Sequence, residues 1–412
     1  MSRFDSRGAL GLPPAESSRL RRMHLPERAS TIGVSVRQAD QELHLDGGGN
    51  GLLDTTHFDT VRFPPPPWAS EIMRNAMEDG SQAYTPYRGN PKVIASVSKA
   101  VSQFLGVRVT ESNLALTPGT QGGLFAVLSA LVDEGDLVMI ADPEYLFVER
   151  MLAFLGARVE RVAVHQEAGS STLDLAKIEA LLPQRPRLLI FSHPSNPTGA
   201  VYAPDVIAGV AELAMIGNFR VLVDELYSRL VYNERVFAHL AAEPGMLDRC
   251  ITMLGPSKTE SMSGFRLGVV VAPPDVIEAV EQTLAITALR APAYAQHLLK
   301  YWLVDDQRFL ADRVRELDAL REMTVESLRG VPGLHVPSPE GTAYVFPDAS
   351  GMRVSDRELA MALRQEAGVI VSPGYQFGPA GTGHFRICFA RDEQEWERAL
   401  ARIATCLAGF SR

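Results

Sequence analysis

Cysteine is scarce in this sequence: 412 residues contain only Cys250, Cys388 and Cys406. Three scattered cysteines form no disulfide framework, and they favour a reducing, cytoplasmic compartment. The nine histidines show no paired metal-binding spacing, so we expect no metal site. Long apolar runs are also missing. The longest, such as 267–274, are too short to cross a bilayer, and residues 1–29 lack the apolar core of a signal peptide.

Basic residues are in the minority. The chain has 49 acidic and 40 basic residues and a formal net charge of -9, which argues against binding to nucleic acid or to a membrane surface. Hydrophobic residues make up 46% and charged residues 22%, which excludes disordered, collagen-like and coiled-coil proteins. A length of 412 residues exceeds that of a usual single domain, so two domains are expected.

The middle of the chain alternates between two patterns. From about 113 to 273, short apolar, β-branched runs are separated by helical stretches. This alternation is typical of an α/β fold with a mostly parallel sheet covered by helices on both faces. The predicted strands are 137–140, 158–164, 188–191, 220–223, 251–254 and 267–272. The predicted helices are 68–80, 90–105, 122–132, 145–155, 174–182 and 204–215.

The two ends of the chain follow a different pattern. Residues 1–40 are polar and are interpreted as an N-terminal arm, either with one short helix near 17–23 or as a disordered tail. We predict a large domain at 69–292 and a smaller α+β domain formed by 41–68 together with 293–412. In the smaller domain we predict a long helical tract at 293–329, strands near 334–336, 343–346, 368–371 and 384–389, and a closing helix at 393–407.

Polar residues follow three successive predicted strands. Asn196 comes after 188–191, Asp224 directly after 220–223, and Lys258 after 251–254. Since ligands bind at the carboxyl ends of parallel strands, these side chains should meet. A lysine amine forms a Schiff base with an aldehyde, and a carboxylate keeps a pyridine nitrogen protonated, which makes the ring an electron sink.

A site for a phosphate group is predicted nearby. The run Gly119-Thr120-Gln121-Gly122 opens a helix whose apolar residues recur at helical spacing. A helix that begins with small residues presents free N–H groups and the positive end of its dipole to an anion.

Together these residues resemble the fold type I pyridoxal-phosphate enzymes, in particular the class I/II aminotransferase family that includes aspartate aminotransferases. Each matching motif is weak alone, but seven of them occur in the family's order between residues 84 and 387. The motifs are YTPYRG at 84–89, TPGTQ at 117–121, DPEY at 142–145, SNPTG at 195–199, VDELY at 223–227, SK at 257–258 with GFRLG at 264–268, and FRI at 385–387.

The resemblance implies a role for each residue that follows a strand. Lys258 would form the Schiff base with pyridoxal 5'-phosphate and move the substrate proton, and Asp224 would face the ring nitrogen. Asn196 and Tyr227 would bind the 3' oxygen of the cofactor, and Arg266 its phosphate. From the residues alone, each has an alternative role. Lys258 could be a solvated lysine, Asp224 a helix N-cap, Asn196 a turn residue, Tyr227 a core aromatic and Arg266 a surface arginine.

Further roles follow from the same resemblance. Gly119, Thr120, Gln121 and Ser257 would add donors to the phosphate, while Tyr145 would stack on the ring, unless it is an ordinary core tyrosine. Tyr84 would reach the phosphate of a neighbouring subunit, which implies a homodimer with shared active sites.

Substrate binding is also implied. Arg386 would bind the α-carboxylate, with an internal ion pair as the alternative, and Gly49 and Asn196 would lie beside it. Where the family has a short Gly-x-Pro turn, this chain has Gly47-Gly48-Gly49-Asn50-Gly51 and an additional stretch with Asp54, His57 and Asp59. No second arginine is assigned to a substrate side chain, because the register of Arg290 is uncertain. We therefore expect a neutral or aromatic substrate side chain.

The expected function is pyridoxal-phosphate-dependent transfer of an amino group from an amino acid to a 2-oxo acid. A lyase, cyclase or oxidase acting on an amino acid is the alternative, because one scaffold supports several chemistries. The sensor domain of a transcription regulator is a third reading, but such proteins carry an N-terminal helix-turn-helix domain larger than residues 1–40.

Overall fold

The computed structural model describes residues 17–23, 52–58, 62–167 and 170–410. Its strands are β1 Leu53–Asp54, β2 Leu114–Pro118, β3 Leu137–Asp142, β4 Arg158–Glu167, β5 Ser170–Leu173, β6 Leu188–Ser192, β7 Arg220–Asp224, β8 Cys250–Leu254, β9 Leu267–Val271, β10 Tyr344–Val345, β11 Val369–Ile370, β12 Ser372–Pro373 and β13 Phe385–Cys388. Its α-helices are Ser18–Met23, Trp68–Glu78, Pro91–Leu105, Gly119–Leu131, Leu146–Leu155, Leu175–Leu181, Pro204–Gly217, Pro274–Ile286, Ala293–Gln296, Gln307–Arg329, Asp356–Ala362 and Glu393–Ala408.

The largest sheet has eight strands in the order β2-β9-β8-β7-β6-β3-β4-β5. Strands β8, β7, β6, β3 and β4 run parallel, while β9 is antiparallel to both of its neighbours and β5 is antiparallel to β4. In β6, Leu189 and Phe191 enter one core, and Leu188 and Ile190 enter the core on the other face. Burial on both faces explains the uninterrupted apolar runs, and the predicted mostly parallel sheet is confirmed.

Helices cover both faces of this sheet. Pro91–Leu105 and Pro204–Gly217 pack in one core, and Gly119–Leu131 and Pro274–Ile286 pack in the other. Residues adjacent to the helix Pro91–Leu105 determine where it begins and ends. The Asn90 side chain accepts a hydrogen bond from the Lys92 N–H at 2.9 Å, and Gly106 ends the helix at a φ of 70°. Within the described part of the chain, no helix is long and apolar enough to cross a membrane.

A second, smaller unit has its own core. Strands β10, β13 and β12 form an antiparallel sheet in that order around β13, and β1 pairs in parallel with β11. The helices Gln307–Arg329 and Glu393–Ala408 pack against these strands, and Trp396 is buried between them with its Nε1 donating to Thr324 Oγ1 at 2.8 Å. The predicted α+β unit that joins N- and C-terminal parts is therefore confirmed.

The predicted helical tract over 293–329 is interrupted and does not form one helix. The helix stops after Ala293–Gln296, a 3₁₀ turn follows, and a new helix begins at Gln307. Asp306 causes part of the break, since its buried carboxylate accepts from the Leu303 N–H at 3.2 Å and from the Arg229 guanidinium at 2.7 and 3.0 Å. Leu303 has a φ of 67°, which a continuing helix does not allow.

Other local predictions also need correction. The predicted strand at 334–336 is a single bridge between His335 and Asp348. Strands β2 and β5 and the helix Pro274–Ile286 had not been predicted. The segment that contains Ala295, Leu298 and Trp302 packs in the core of the large sheet.

Candidate active site

A cavity of about 230 Å³ lies at the carboxyl ends of β6, β7 and β8. Most residues that the sequence predicted for the site line it, namely Thr120, Gln121, Tyr145, Asn196, Asp224, Tyr227, Ser257, Lys258, Arg266 and Arg386. Gly119 begins the helix that carries the first two of these. Tyr84 is not among the residues that line this cavity, and Gly49 lies outside the described residues.

The topology explains how distant residues meet. Strand β7 pairs in parallel with β6 on one side and β8 on the other, so the three strands end at the same edge of the sheet. The chain leaves β6 toward Asn196, β7 ends at Asp224, and β8 leads to Lys258. An edge of this kind is where open α/β sheets bind their ligands.

One end of the cavity is built to hold an anion. Arg266 lies against the first turn of the helix Gly119–Leu131, and its guanidinium donates to Ser263 O at 2.9 Å and Pro118 O at 3.5 Å. A Cβ atom at Gly119 would collide with this guanidinium, and one at Gly268 would come within 2.6 Å of the Thr120 nitrogen. Both glycines therefore allow close approach, which brings helix N–H groups and a guanidinium to one place.

The middle of the cavity holds a carboxylate and an amine. Asp224 accepts a hydrogen bond from the Leu226 N–H at 3.1 Å. Burial raises the pKa of Asp224 to about 6, although the Lys258 ammonium acts in the opposite direction. Among the described residues, no hydrogen bond holds the Nζ of Lys258, which lines the same cavity. An aldehyde that enters the cavity therefore meets an amine beside a carboxylate.

Tyrosines form two walls of the site. Tyr145 donates its hydroxyl to Gln121 Oε1 at 3.2 Å, which ties it to the anion-binding end. Tyr227 is buried and donates to the Tyr344 hydroxyl at 3.1 Å. Burial, together with the neighbouring Tyr344, raises the pKa of Tyr227 well above its usual value, so Tyr227 stays protonated and can donate a hydrogen bond.

Arg386 lies in β13 and is 3% exposed. Its guanidinium donates to Asn196 Oδ1 and to the Thr56 carbonyl, both at 2.6 Å, and lies 4.1 Å from the centre of the Tyr344 ring. Within the described ranges, its hydrogen bonds go to neutral oxygens, no carboxylate pairs with it, and its Nε has no hydrogen-bond partner. A buried cation compensated only by neutral groups favours the binding of an anion.

The sequence missed several lining residues, namely Thr56, Phe147, Ser192 and Tyr344, and assigned no role to His57. Thr56 and His57 follow β1, whose pairing with β11 brings them to the cavity. Tyr344 had no local signal, since it lies in a short apolar strand. Tyr84 is 85% exposed, with the Arg290 guanidinium 4.3 Å from its ring centre.

Comparison with known proteins agrees with this geometry. The family model described as Aminotransferase class I and II matches residues 54–403. An aspartate/prephenate aminotransferase of Cereibacter sphaeroides is 30% identical over 361 residues, which cover 85% of this chain and 90% of that protein. An aspartate aminotransferase of Pyrococcus horikoshii is 28% identical, with 84% of this chain and 88% of that protein covered. The crystal structure of an aspartate aminotransferase from Rhodobacter sphaeroides superposes with a TM-score of 0.85 at 32% identity, covering 90% and 97% of the two chains.

Proposed function

The chain belongs to the class I and II aminotransferase family, and we propose that the cavity at the ends of β6, β7 and β8 is its active site. The protein is a pyridoxal-phosphate-dependent aminotransferase, whose substrates are amino acids and 2-oxo acids. The observation that carries the site assignment is the meeting of Lys258, Asp224 and Arg386, from three separate strands, in one cavity.

The residues of the cavity fit pyridoxal phosphate. When bound, the cofactor supplies an aldehyde that joins an amine and a ring that withdraws electrons from the substrate. Its phosphate would be held by Arg266, by Ser257 and by the first turn of the helix Gly119–Leu131, with Thr120 and Gln121. A Cβ atom at position 119 would collide with the Arg266 guanidinium, so a glycine there lets the arginine approach the first turn of this helix, where the phosphate would be held.

Around the ring, we assign Tyr145 to one face, Asp224 to the ring nitrogen, and Asn196 and Tyr227 to the 3' oxygen. With a pKa raised to about 6, Asp224 takes up a proton more readily than an ordinary aspartate when no cation lies beside it. A protonated, cationic ring nitrogen would favour the ionised form of Asp224. Lys258 would attach to the aldehyde and would later move the proton at the α-carbon of the substrate. The protonated Tyr227 hydroxyl is suited to donate to an anionic oxygen.

Arg386 is assigned to the α-carboxylate of the substrate. Its planar guanidinium can make two parallel hydrogen bonds to a carboxylate, and its burial without an ionic partner among the described residues supports this role. Asn196 would lie beside both the cofactor and this carboxylate, since its Oδ1 already accepts from Arg386.

A panel of amino acids tests the assignment. The protein loaded with pyridoxal phosphate should convert a preferred amino acid into its 2-oxo acid, one molecule for each cofactor when no second substrate is present. Lys258→Ala should abolish this conversion, whereas Lys177→Ala, on a distant helix, should not change it. Release of ammonia or a cyclised amino acid, with many turnovers and no second substrate, would instead support a lyase, cyclase or oxidase.

For the substrate side chain, we propose a neutral or aromatic group. Phe147, Leu146 and Tyr344 line the cavity, and in the part of the chain that the structure describes its only arginines are Arg266 and Arg386. The relatives named above carry aspartate or prephenate in their names, so aspartate is the informative competitor. Comparison of kcat/KM for phenylalanine, leucine and aspartate tests the preference, and a clear advantage for aspartate would refute it.

We propose a homodimer with shared active sites. Tyr84 is 85% exposed beside Arg290, and Ile286, near Arg290 in sequence, is 86% exposed, so these side chains are available to a second copy of the chain. A second copy would cover them, and Tyr84 would reach the phosphate of that copy. Closed two-fold symmetry is the commonest way to bury such a surface.

Two further proposals concern organisation. We propose residues 1–40 as an arm, 41–68 with 293–412 as a small domain and 69–292 as a large one. The separate cores support this division, although the packing of Leu298 and Trp302 favours an end of the large domain near residue 306. We also propose a cytoplasmic location, which the three free, buried cysteines support.

A further inference from the structure

We infer that Glu144 is a positioning residue of the active site: its buried carboxylate fixes Ser192 and Asn196 and, through Asn196, orients Arg386. The inference rests on the roles proposed above for Asn196 and Arg386. Glu144 lies between β3 and the helix Leu146–Leu155 and is not among the residues that line the cavity.

The hydrogen bonds that Glu144 accepts support this positioning role. It is 4% exposed, and its two oxygens accept three hydrogen bonds. Oε1 accepts from the Tyr145 N–H and from the Ser192 hydroxyl, both at 2.7 Å, and Oε2 accepts from the Ser192 N–H at 2.8 Å. Because all three contacts are donors, the ionised carboxylate is the form that satisfies them.

A chain of hydrogen bonds leads from this carboxylate to the substrate side of the cavity. The Ser192 hydroxyl donates to Glu144 and accepts from the Asn196 N–H at 2.9 Å. Asn196 Oδ1 in turn accepts from the Arg386 guanidinium at 2.6 Å. Each link fixes the orientation of the next group, so Glu144 acts on Arg386 without touching it.

Electrostatics supports the same role. Burial raises the pKa of Glu144 to about 8, and the negative charge of Asp224 acts in the same direction, while the three hydrogen bonds oppose both. The titratable groups that face it are Asp224, at the end of β7, and Tyr202, after β6. Glu144 is therefore mainly ionised, with its hydrogen bonds complete, above pH about 8. A cation beside Asp224 would offset the repulsion between the two carboxylates and favour the same ionised form.

The test uses the holoenzyme of three variants, Glu144→Gln, Ser192→Ala and the control Glu149→Gln. A glutamine at 144 presents an amide N–H to a backbone N–H donor in either orientation, so at least one of the three contacts, with Ser192 or with Tyr145, is lost. The control removes a charge from the helix that follows Glu144, where Glu149 pairs with Arg161 outside this network. KM and kcat for the amino acid and the 2-oxo acid are measured above and below pH 8, together with cofactor content and melting temperature.

Glu144→Gln should raise both KM values about tenfold or more above pH 8, and less below it, while cofactor content stays normal. Ser192→Ala should raise them in the same direction, and the double variant should lose less than the sum of the two, because both act on one network. A lower melting temperature with unchanged KM values would overturn the inference, as would an equal effect in Glu149→Gln. If Glu144→Gln does not fold, unchanged KM values in Ser192→Ala overturn it. An inactive wild-type holoenzyme would instead refute the proposed function.

Discussion

Replacement of Arg386 by lysine offers the sharpest test of the substrate site. The arginine makes two hydrogen bonds of 2.6 Å, to Asn196 and to the Thr56 carbonyl, and its guanidinium packs over the Tyr344 ring at 4.1 Å from the ring centre. A lysine ammonium can keep one of these bonds, but it cannot make two parallel bonds to a carboxylate. One lost bond to a charged group corresponds to about 1.5 to 3 kcal/mol. We therefore expect kcat/KM for an amino acid to fall roughly 10- to 150-fold.

The assay must separate carboxylate binding from general damage to the site. We would compare an amino acid with the amine that has the same side chain but no carboxylate. In Arg386→Lys the loss should be confined to the amino acid, since the amine has no group for residue 386 to bind. Arg391→Lys is the matched control, because Arg391 is also buried, lies shortly after the end of the same strand at Cys388, binds the carbonyl of His57 at 2.6 Å and does not line the cavity.

Two results would refute this reasoning. If Arg386→Lys reduced kcat/KM equally for the amino acid and the amine, the residue would support the fold of the site without binding the carboxylate. If Arg391→Lys produced the same discrimination, the effect would come from loss of a buried arginine in general. The decisive quantity is the ratio of kcat/KM for the amino acid to kcat/KM for the amine. If Arg386→Lys keeps the wild-type ratio, Arg386 does not bind the substrate carboxylate, whatever the absolute rate of the variant.

Three further predictions follow from the described residues. Asp224→Asn should keep the cofactor bound, since the phosphate contacts are separate, but it should reduce turnover by orders of magnitude because the charged partner of the ring nitrogen is lost. Cofactor absorbance measures binding and initial rates measure turnover. Near-normal turnover would mean that another carboxylate interacts with the ring nitrogen. Tyr84→Phe should weaken cofactor binding without changing the sedimentation of a dimer, and a fully active monomer in sedimentation experiments would contradict the shared site. The cofactor-free protein should lose unfolding free energy as pH rises from about 4.5 to about 8, because Glu144, whose ordinary pKa is 4.5 and whose folded pKa is about 8, binds its proton in the folded state but not in the unfolded state over that range. Denaturant titrations across this range should show the decline, and Glu144→Gln should make it less steep, with Asp224 and Glu260, whose pKa values burial also raises, accounting for the remainder. An unchanged slope in the variant would show that Glu144 does not titrate as described.

The sequence predicted which residues would meet in this cavity because they obey a topological rule. Asp224 and Lys258 each follow a strand that is apolar on both faces, and parallel strands of this kind end at one edge of the sheet. The anion-binding end was predictable for a similar reason, since Gly119 opens a helix with a local pattern of small residues. In both cases a short stretch of sequence contains the whole physical signal.

The break at residue 306 shows where local signals fail. The sequence predicts a long helical tract at 293–329 with no interruption, because nothing in that stretch is a strong helix breaker. The break depends on Arg229, which follows Tyr227 in a different part of the chain and binds the Asp306 carboxylate through two nitrogens. Glu260, two residues beyond Lys258, joins the same buried cluster through a short ion pair with Arg229. The two charged residues that join Asp306 in this cluster, Arg229 and Glu260, are thus more than 40 residues away in sequence, beyond the reach of any periodicity.

Glu144 illustrates the same limit for function. A glutamate just before a helix is ordinarily a solvated charge that interacts with the helix dipole, and the sequence gives no reason to read it otherwise. Its role arises because β6 lies directly beside β3 in the sheet, so that Ser192 at the end of one strand meets the loop that follows the other. The rule that brings Asp224 and Lys258 together therefore also buries Glu144. The rule predicts that residues after adjacent parallel strands meet, but which of them line the cavity and which support it from behind is decided by side-chain packing.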